Sequence, residues 1–93
     1  MFNLTFRILL EDIINSNNDD VENCAVCKAI KRSFPYESVI VGSNFCMIGE
    51  ERISLPRYTM ERLWLMDNKI IKANNFTIQI KVSNKLYESR IID

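Results

Sequence analysis

Cys24 and Cys27 form a C-x-x-C pair, a spacing that suits half of a zinc site or a redox dithiol. A structural zinc site takes four ligands; only Cys46 remains here, and the chain contains no histidine. A redox pair sits at a helix start after a strand, where the dipole lowers the thiol pKa. An Asn-rich loop precedes Cys24 instead. Most of the three cysteines therefore read as buried small hydrophobes, with a three-Cys site completed by Asp or Glu as the lesser alternative, and no metal or cofactor is expected. Without histidine, Ser-His-Asp and Cys-His catalysis and imidazole proton shuttling are excluded. Glu11-Asp12 and Glu50-Glu51 supply acids, but adjacent residues point to different faces. Neither pair lies among apolar residues that would raise a carboxyl pKa. The chain is not read as an enzyme.

Three segments have residue types suited to binding an anion. Lys28, Lys31 and Arg32 fall at i, i+3 and i+4, which places them on one helix face. With unpaired backbone N–H groups near Asn23 and Cys24, they could hold phosphates through charge and dipole together. The plainer reading is a solvated helix surface. In Val41-Gly42-Ser43-Asn44-Phe45, glycine lets a ligand approach the backbone. Ser43 and Asn44 offer hydrogen bonds there, and Phe45 offers a stacking face; the plainer reading is a turn between strands. In Leu55-Pro56-Arg57-Tyr58, a guanidinium for phosphate and a ring for a base stand in the first turn of a helix. The alternative is a proline-started helix with two exposed side chains. Trp64 is assigned to core or interface.

The elements that must position these residues follow from periodicity. Phe2, Leu4, Phe6 and Ile8 alternate with polar residues and predict a half-buried strand. Glu11 to Asn15 makes one helical turn, and the polar run 15–20 is a loop. A helix starts near Asp20 or Asn23, carries Ala25, Val26, Ala29, Ile30 and Phe34 on its apolar side, and stops before Pro35. Ser38–Val41 is a short strand. Phe45–Ile48 and Arg52–Leu55 flank a hairpin loop at Gly49-Glu50-Glu51. Pro56 opens a helix over Arg57–Met66, with Met60, Leu63, Trp64 and Asp67 along one side. Phe76–Val82 alternates as the first strand does. Residues 83–93 form a tail whose Leu86, Tyr87, Ile91 and Ile92 are too apolar for a free end, which points to packing on a partner subunit. The order implies an α+β fold: a small, mainly antiparallel sheet with two helices on one face.

Ninety-three residues make one domain, 1–93, with a core small enough for homo-oligomerisation to add useful burial. At 47% hydrophobic and 26% charged residues the chain is not disordered. Twelve basic and twelve acidic residues cancel, which argues against a general nucleic-acid binder. No apolar run reaches the roughly 18 residues of a membrane span. The start, MFNLTFRILLED, lacks a cationic n-region and a cleavage site, so no signal peptide is read. Sparse cysteine in an odd number suits a reducing cytoplasm.

An N-terminal strand and acidic turn, then Cys24-x-Val26-x-x-Ala29-Ile30-Lys31-Arg32, then Val39-x-Val41-Gly42, then Leu55-Pro56 opening a helix with Trp64 and Asp67, then a final alternating strand, together span most of residues 1–82. This series resembles a group of small phage and prophage proteins with a Cys-Pro-Val-x-x-Ala-Leu-Lys-Arg helix and a Val-x-Val-Gly strand. Ala25 stands where that pattern has proline, and Cys27 where it has no cysteine. The resemblance implies an anti-CBASS sponge: a small homo-oligomer, such as a tetramer, in the cytoplasm of the infected host. Such a sponge holds a cyclic dinucleotide such as 3',3'-cGAMP without cleaving it. Lys28, Lys31, Arg32, Ser43, Asn44, Phe45, Arg57 and Tyr58 are the residue types such a ligand needs, and a two-fold ligand suits a symmetric interface. The rival expectation is a phage inhibitor module that binds a host defence protein directly, with Trp64, Tyr58 and the C-terminal apolar residues as anchors. A nucleic-acid-binding regulator and a small nuclease rank below it.

Overall fold

The computed structural model describes residues 1–17 and 20–91, so Asn18 and Asp19 of the polar loop and Ile92 and Asp93 of the tail lie outside the described residues. Alternation sets the first element, β1 (Phe2–Ile8), which buries Phe6 and Ile8 and exposes Asn3, Thr5 and Arg7. The short helix α1 (Leu10–Ile14) follows, with the Asp12 carboxylate accepting from the Leu9 backbone N–H at 2.9 Å to cap its start. Helix α2 (Ala25–Ser33) begins one residue after Cys24, not at Asp20 or Asn23. The Cys24 sulfur accepts from the Cys27 N–H, and Asp20 is occupied by Glu22 N–H and the Asn23 amide. Its buried stripe, Ala25, Val26, Cys27, Ala29 and Ile30, lies on the core.

Strands β2 (Val39–Val41), β3 (Phe45–Ile48) and β4 (Glu51–Ser54) form an antiparallel meander. Its second turn passes through Gly49 at φ +61°, a conformation that costs a side-chain-bearing residue about 1–2 kcal/mol. Helix α3 (Tyr58–Asp67) follows Pro56, and β5 (Phe76–Val82) pairs antiparallel with β1, Phe2 opposite Val82 and Ile8 opposite Phe76. The α+β class and antiparallel pairing are those expected. The sheet, however, is divided into two ladders, β1-β5 and β2-β3-β4, which adjoin where β4 runs beside β5.

Residues 83–91 do not extend as a tail. Ser83 caps a further helix, α4 (Asn84–Ser89), by accepting from the Leu86 N–H at 3.1 Å. Leu86 is buried, and the Tyr87 ring stacks on Phe2 with centroids 4.3 Å apart. The Ile91 N–H donates to the Ser33 carbonyl at 2.8 Å. Leu86 and part of Tyr87, assigned to a partner subunit, are therefore covered by the chain itself, while Ile91 stays 41% exposed and Ile92 lies outside the described residues.

One core joins the buried faces of both ladders to α2, α3 and α4. Val39, Val41, Cys46, Ile48, Ile53, Phe6, Ile8, Ile78, Ile80 and Val82 all point into it. The other sheet face is open. Trp64 is 58% exposed, so it is not a core residue; Thr59, Leu63 and Met66 form the buried side of α3. No helix among the described residues is long and apolar enough to cross a membrane.

Candidate functional site

Strand alternation that sends apolar residues inward sends Asn3, Thr5 and Arg7 of β1 and Thr77, Gln79 and Lys81 of β5 outward. On the meander it sends Phe45, Met47, Arg52 and Ser54 to the same open face. The charged side chains the described strands contribute to it are Arg7, Arg52 and Lys81, all cationic. In a chain of zero net charge the sheet thus presents a basic surface to solvent.

The seam between β4 and β5 lies in the middle of that surface. Each strand has one ladder partner, β3 and β1 respectively, and none across the seam. Side chains close its two ends: Ser83 Oγ hydrogen-bonds the Glu51 carboxylate at one, and the Tyr58 hydroxyl donates to the Thr77 carbonyl at 3.2 Å at the other. Between them opens a groove of about 400 Å³, lined by residues 52–56 on one side, by Gln79, Ile80 and Lys81 on the other, and by Met1. Arg52 and Lys81 bring cations to it, and Gln79 and Ser54 bring an amide and a hydroxyl. Neither Arg52 nor Lys81 is held in an ion pair among the described residues. The Arg52 guanidinium carbon sits 3.9 Å from the centroid of the Phe45 ring.

The eight residues expected to bind a ligand fall into two groups. Ser43, Asn44, Phe45, Arg57 and Tyr58 gather near one end of the seam. The Asn44 carbonyl accepts from Leu55 N–H at 3.0 Å, which brings the 43–45 turn against the start of α3. Within this group, Ser43, Asn44 and Arg57 are exposed; the Tyr58 hydroxyl is used to pin the seam, and a face of the Phe45 ring is covered by Arg52.

Lys28, Lys31 and Arg32 lie on α2, across the core from the seam, and do not act as three free cations. Arg32 donates twice to Asp12, Nη1 to Oδ1 at 2.5 Å and Nη2 to Oδ2 at 2.8 Å. Nη2 also donates to the Arg7 carbonyl at 2.8 Å. Asp12 is 7% exposed while the Arg32 side chain stays 43% exposed, so the carboxylate is shielded and the guanidinium reaches it from solvent; the carboxylate's hydrogen bonds hold the guanidinium protonated more firmly than usual. The expectation that Glu11 and Asp12 stand outside the apolar interior fails at Asp12. Lys31 Nζ donates to the Glu37 carbonyl at 2.9 Å. Lys28 is half-buried on the same helix.

All three cysteines are buried free thiols. Burial, aided by neighbouring thiols, pushes Cys27 up to about 11 and Cys46 to about 12, which leaves both protonated and unreactive at neutral pH. Cys27 Sγ donates to the Glu22 and Val39 carbonyls. Among the described residues no group of His, Cys, Asp and Glu is placed to hold a metal ion.

Reasoning on the sequence missed Arg52, Gln79 and Lys81. The signal for their exposure was present, since each is a polar residue in an alternating strand; the signal for their proximity was not. Comparison with family models, curated proteins and solved structures finds no match to this chain.

Proposed function

We propose that this protein binds a cyclic dinucleotide in the β4–β5 groove and lowers its free concentration without cleaving it, as a homo-oligomeric phage immune-evasion protein in the host cytoplasm. The observation that carries the reading is the pairing of Arg52 and Lys81 on opposite walls of the groove, on a sheet face to which the described strands contribute no acid. A cyclic dinucleotide has two phosphates and two bases. A guanidinium, an ammonium, an amide and a hydroxyl answer both needs by hydrogen bonding and charge. Those groups hold a phosphate by charge and hydrogen bonding, and binding without hydrolysis is the reading proposed for them. The resemblance of the α2 and β2 segments to small phage proteins supplies the class of signal.

The test is a thermal-shift panel of cyclic di- and trinucleotides, followed by heat denaturation and chromatography of the released ligand. A nucleotide at about 100 times its Kd stabilises the folded state by about 2.7 kcal/mol. In a domain this small that raises Tm by roughly 10–20 °C. One nucleotide giving such a shift and recovered intact is the expected result. Recovery as cleaved product would make the protein an enzyme, and no shift with any nucleotide would remove the reading.

One observation favours a second reading. Trp64 stands 58% exposed on α3, with Ile70, 60% exposed, just beyond the helix. An exposed tryptophan is an efficient interface anchor. It suits a phage inhibitor module bound directly to a host defence protein, which would ignore nucleotides and co-purify with its target.

A further inference from the structure

We infer, resting on the nucleotide-binding reading above, that the base is recognised by the plane of the Arg52 guanidinium, with Phe45 acting beneath it as a positioning residue. Phe45 stands opposite the groove residue Ser54 on the open face, yet the ring face a base would use is taken, because Arg52 Cζ lies 3.9 Å over its centroid. The ring is also fixed from the side. Its Cδ1, Cε1 and Cζ edge sits against the Gly42 backbone so closely that a Cβ there would meet these atoms at 2.5–3.0 Å. A half-buried ring seated on glycine and capped by arginine is a rigid base for the guanidinium, which is itself exposed.

Arginine stacks on an aromatic face through a delocalised plane and keeps its N–H donors at the rim of that plane. Its second face can take a nucleobase, because guanidinium planes stack bases much as aromatic rings do. Arg52 makes no side-chain hydrogen bond or ion pair among the described residues, so the rim donors are also uncommitted. Ser54, two residues along β4, stands on the same face, directly opposite the Phe45 that carries the guanidinium. With Gln79 on the opposite wall it can meet the edge of a base stacked on Arg52, while Lys81 meets phosphate. The ligand class is therefore a nucleotide with a planar base, and phosphate alone would use only part of the site.

The test compares charge with plane. Arg52→Lys keeps the cation and loses the plane; Arg52→Ala loses both. With 3',3'-cGAMP as probe in isothermal titration, Arg52→Lys should weaken binding roughly 10-fold or more for the lost base stack, and Arg52→Ala further still for the lost charge. In parallel, the Arg52 Nε–H proton should move upfield when the nucleotide is added, from the base's ring current, and not when inorganic phosphate is added. Arg52→Lys binding as tightly as the wild type would overturn the inference and leave the nucleotide reading intact, as would an Nε–H proton indifferent to the nucleotide. A wild-type protein that ignores every cyclic nucleotide would overturn the functional reading itself, and this inference with it.

Discussion

Arg32 shows how far a residue's role depends on a neighbour that sequence spacing does not reveal. Lys28, Lys31 and Arg32 share one helix face by arithmetic alone, and three cations in a row invite a phosphate. In the fold Arg32 is spent on Asp12, twenty residues earlier, and on the Arg7 carbonyl, so it ties α1 and β1 to α2. Its removal leaves a largely buried carboxylate that keeps the Leu9 N–H as a donor. Arg32→Ala should therefore lower stability by about 1–3 kcal/mol, the scale of a lost charge-assisted bond, read as a fall in the urea midpoint. Nucleotide affinity should not change. An unchanged midpoint with lost affinity would return Arg32 to the binding site. Nothing in the spacing of the sequence pointed from Asp12 to Arg32 as its partner, because the pair joins elements twenty residues apart.

Most elements were legible because each is set by a local rule. Period two marks β1 and β5, Pro35 and Pro56 bound α2 and α3, and Gly49 marks the turn between β3 and β4. α4 was the element missed. Ser83 followed by Leu86-Tyr87 is a capped helix of only six residues, too short for its periodicity to stand out from an apolar tail. The same serine closes the seam through Glu51, so one hydroxyl starts a helix and fastens two ladders. Ser83→Ala should cost about 1–2 kcal/mol, a lost cap being typically worth about 1. Hydrogen exchange locates the effect: the Leu86 amide should exchange faster, while amides in the middle of β3 keep their protection. If β3 loosened equally, the serine would be supporting the whole sheet and not this corner of it.

At the scale of the whole molecule, the thiols report on the core. Burial holds Cys27 at about 11 and Cys46 at about 12, against an ordinary thiol value of 9.0 that the unfolded chain would show. Between pH 9 and 11 the unfolded chain loses these protons and the folded one keeps them, so unfolding gains favour as pH rises. Stability should be flat with respect to these groups below pH 9 and should fall steadily above it; a series of urea midpoints from pH 7 to 11 checks this. Replacing Cys46 by alanine should flatten the alkaline limb while lowering stability at neutral pH through the cavity left behind. Which strands lie together was the part no local rule could give. Periodicity says which side of a strand faces inward but not which strand lies beside it, and the groove exists only because β4 meets β5 without bonding to it.

The pairing of β1 with β5 also sets an order of events during synthesis. Phe2 waits for Val82, and Ile8 for Phe76, so the first strand made has no ladder partner until the last has left the ribosome. At about 5–20 residues per second that interval is on the order of several seconds. During it, a segment alternating Phe, Leu, Phe and Ile stands unpaired with one apolar side, the kind of edge that seeks other chains. The meander of β2, β3 and β4 needs no such wait, because its partners are close neighbours in the chain. The nascent protein therefore has a central nucleus that can form early and two ends that must find each other late. Its yield at high expression should depend on how well that first strand is shielded, more than on how stable the finished fold is.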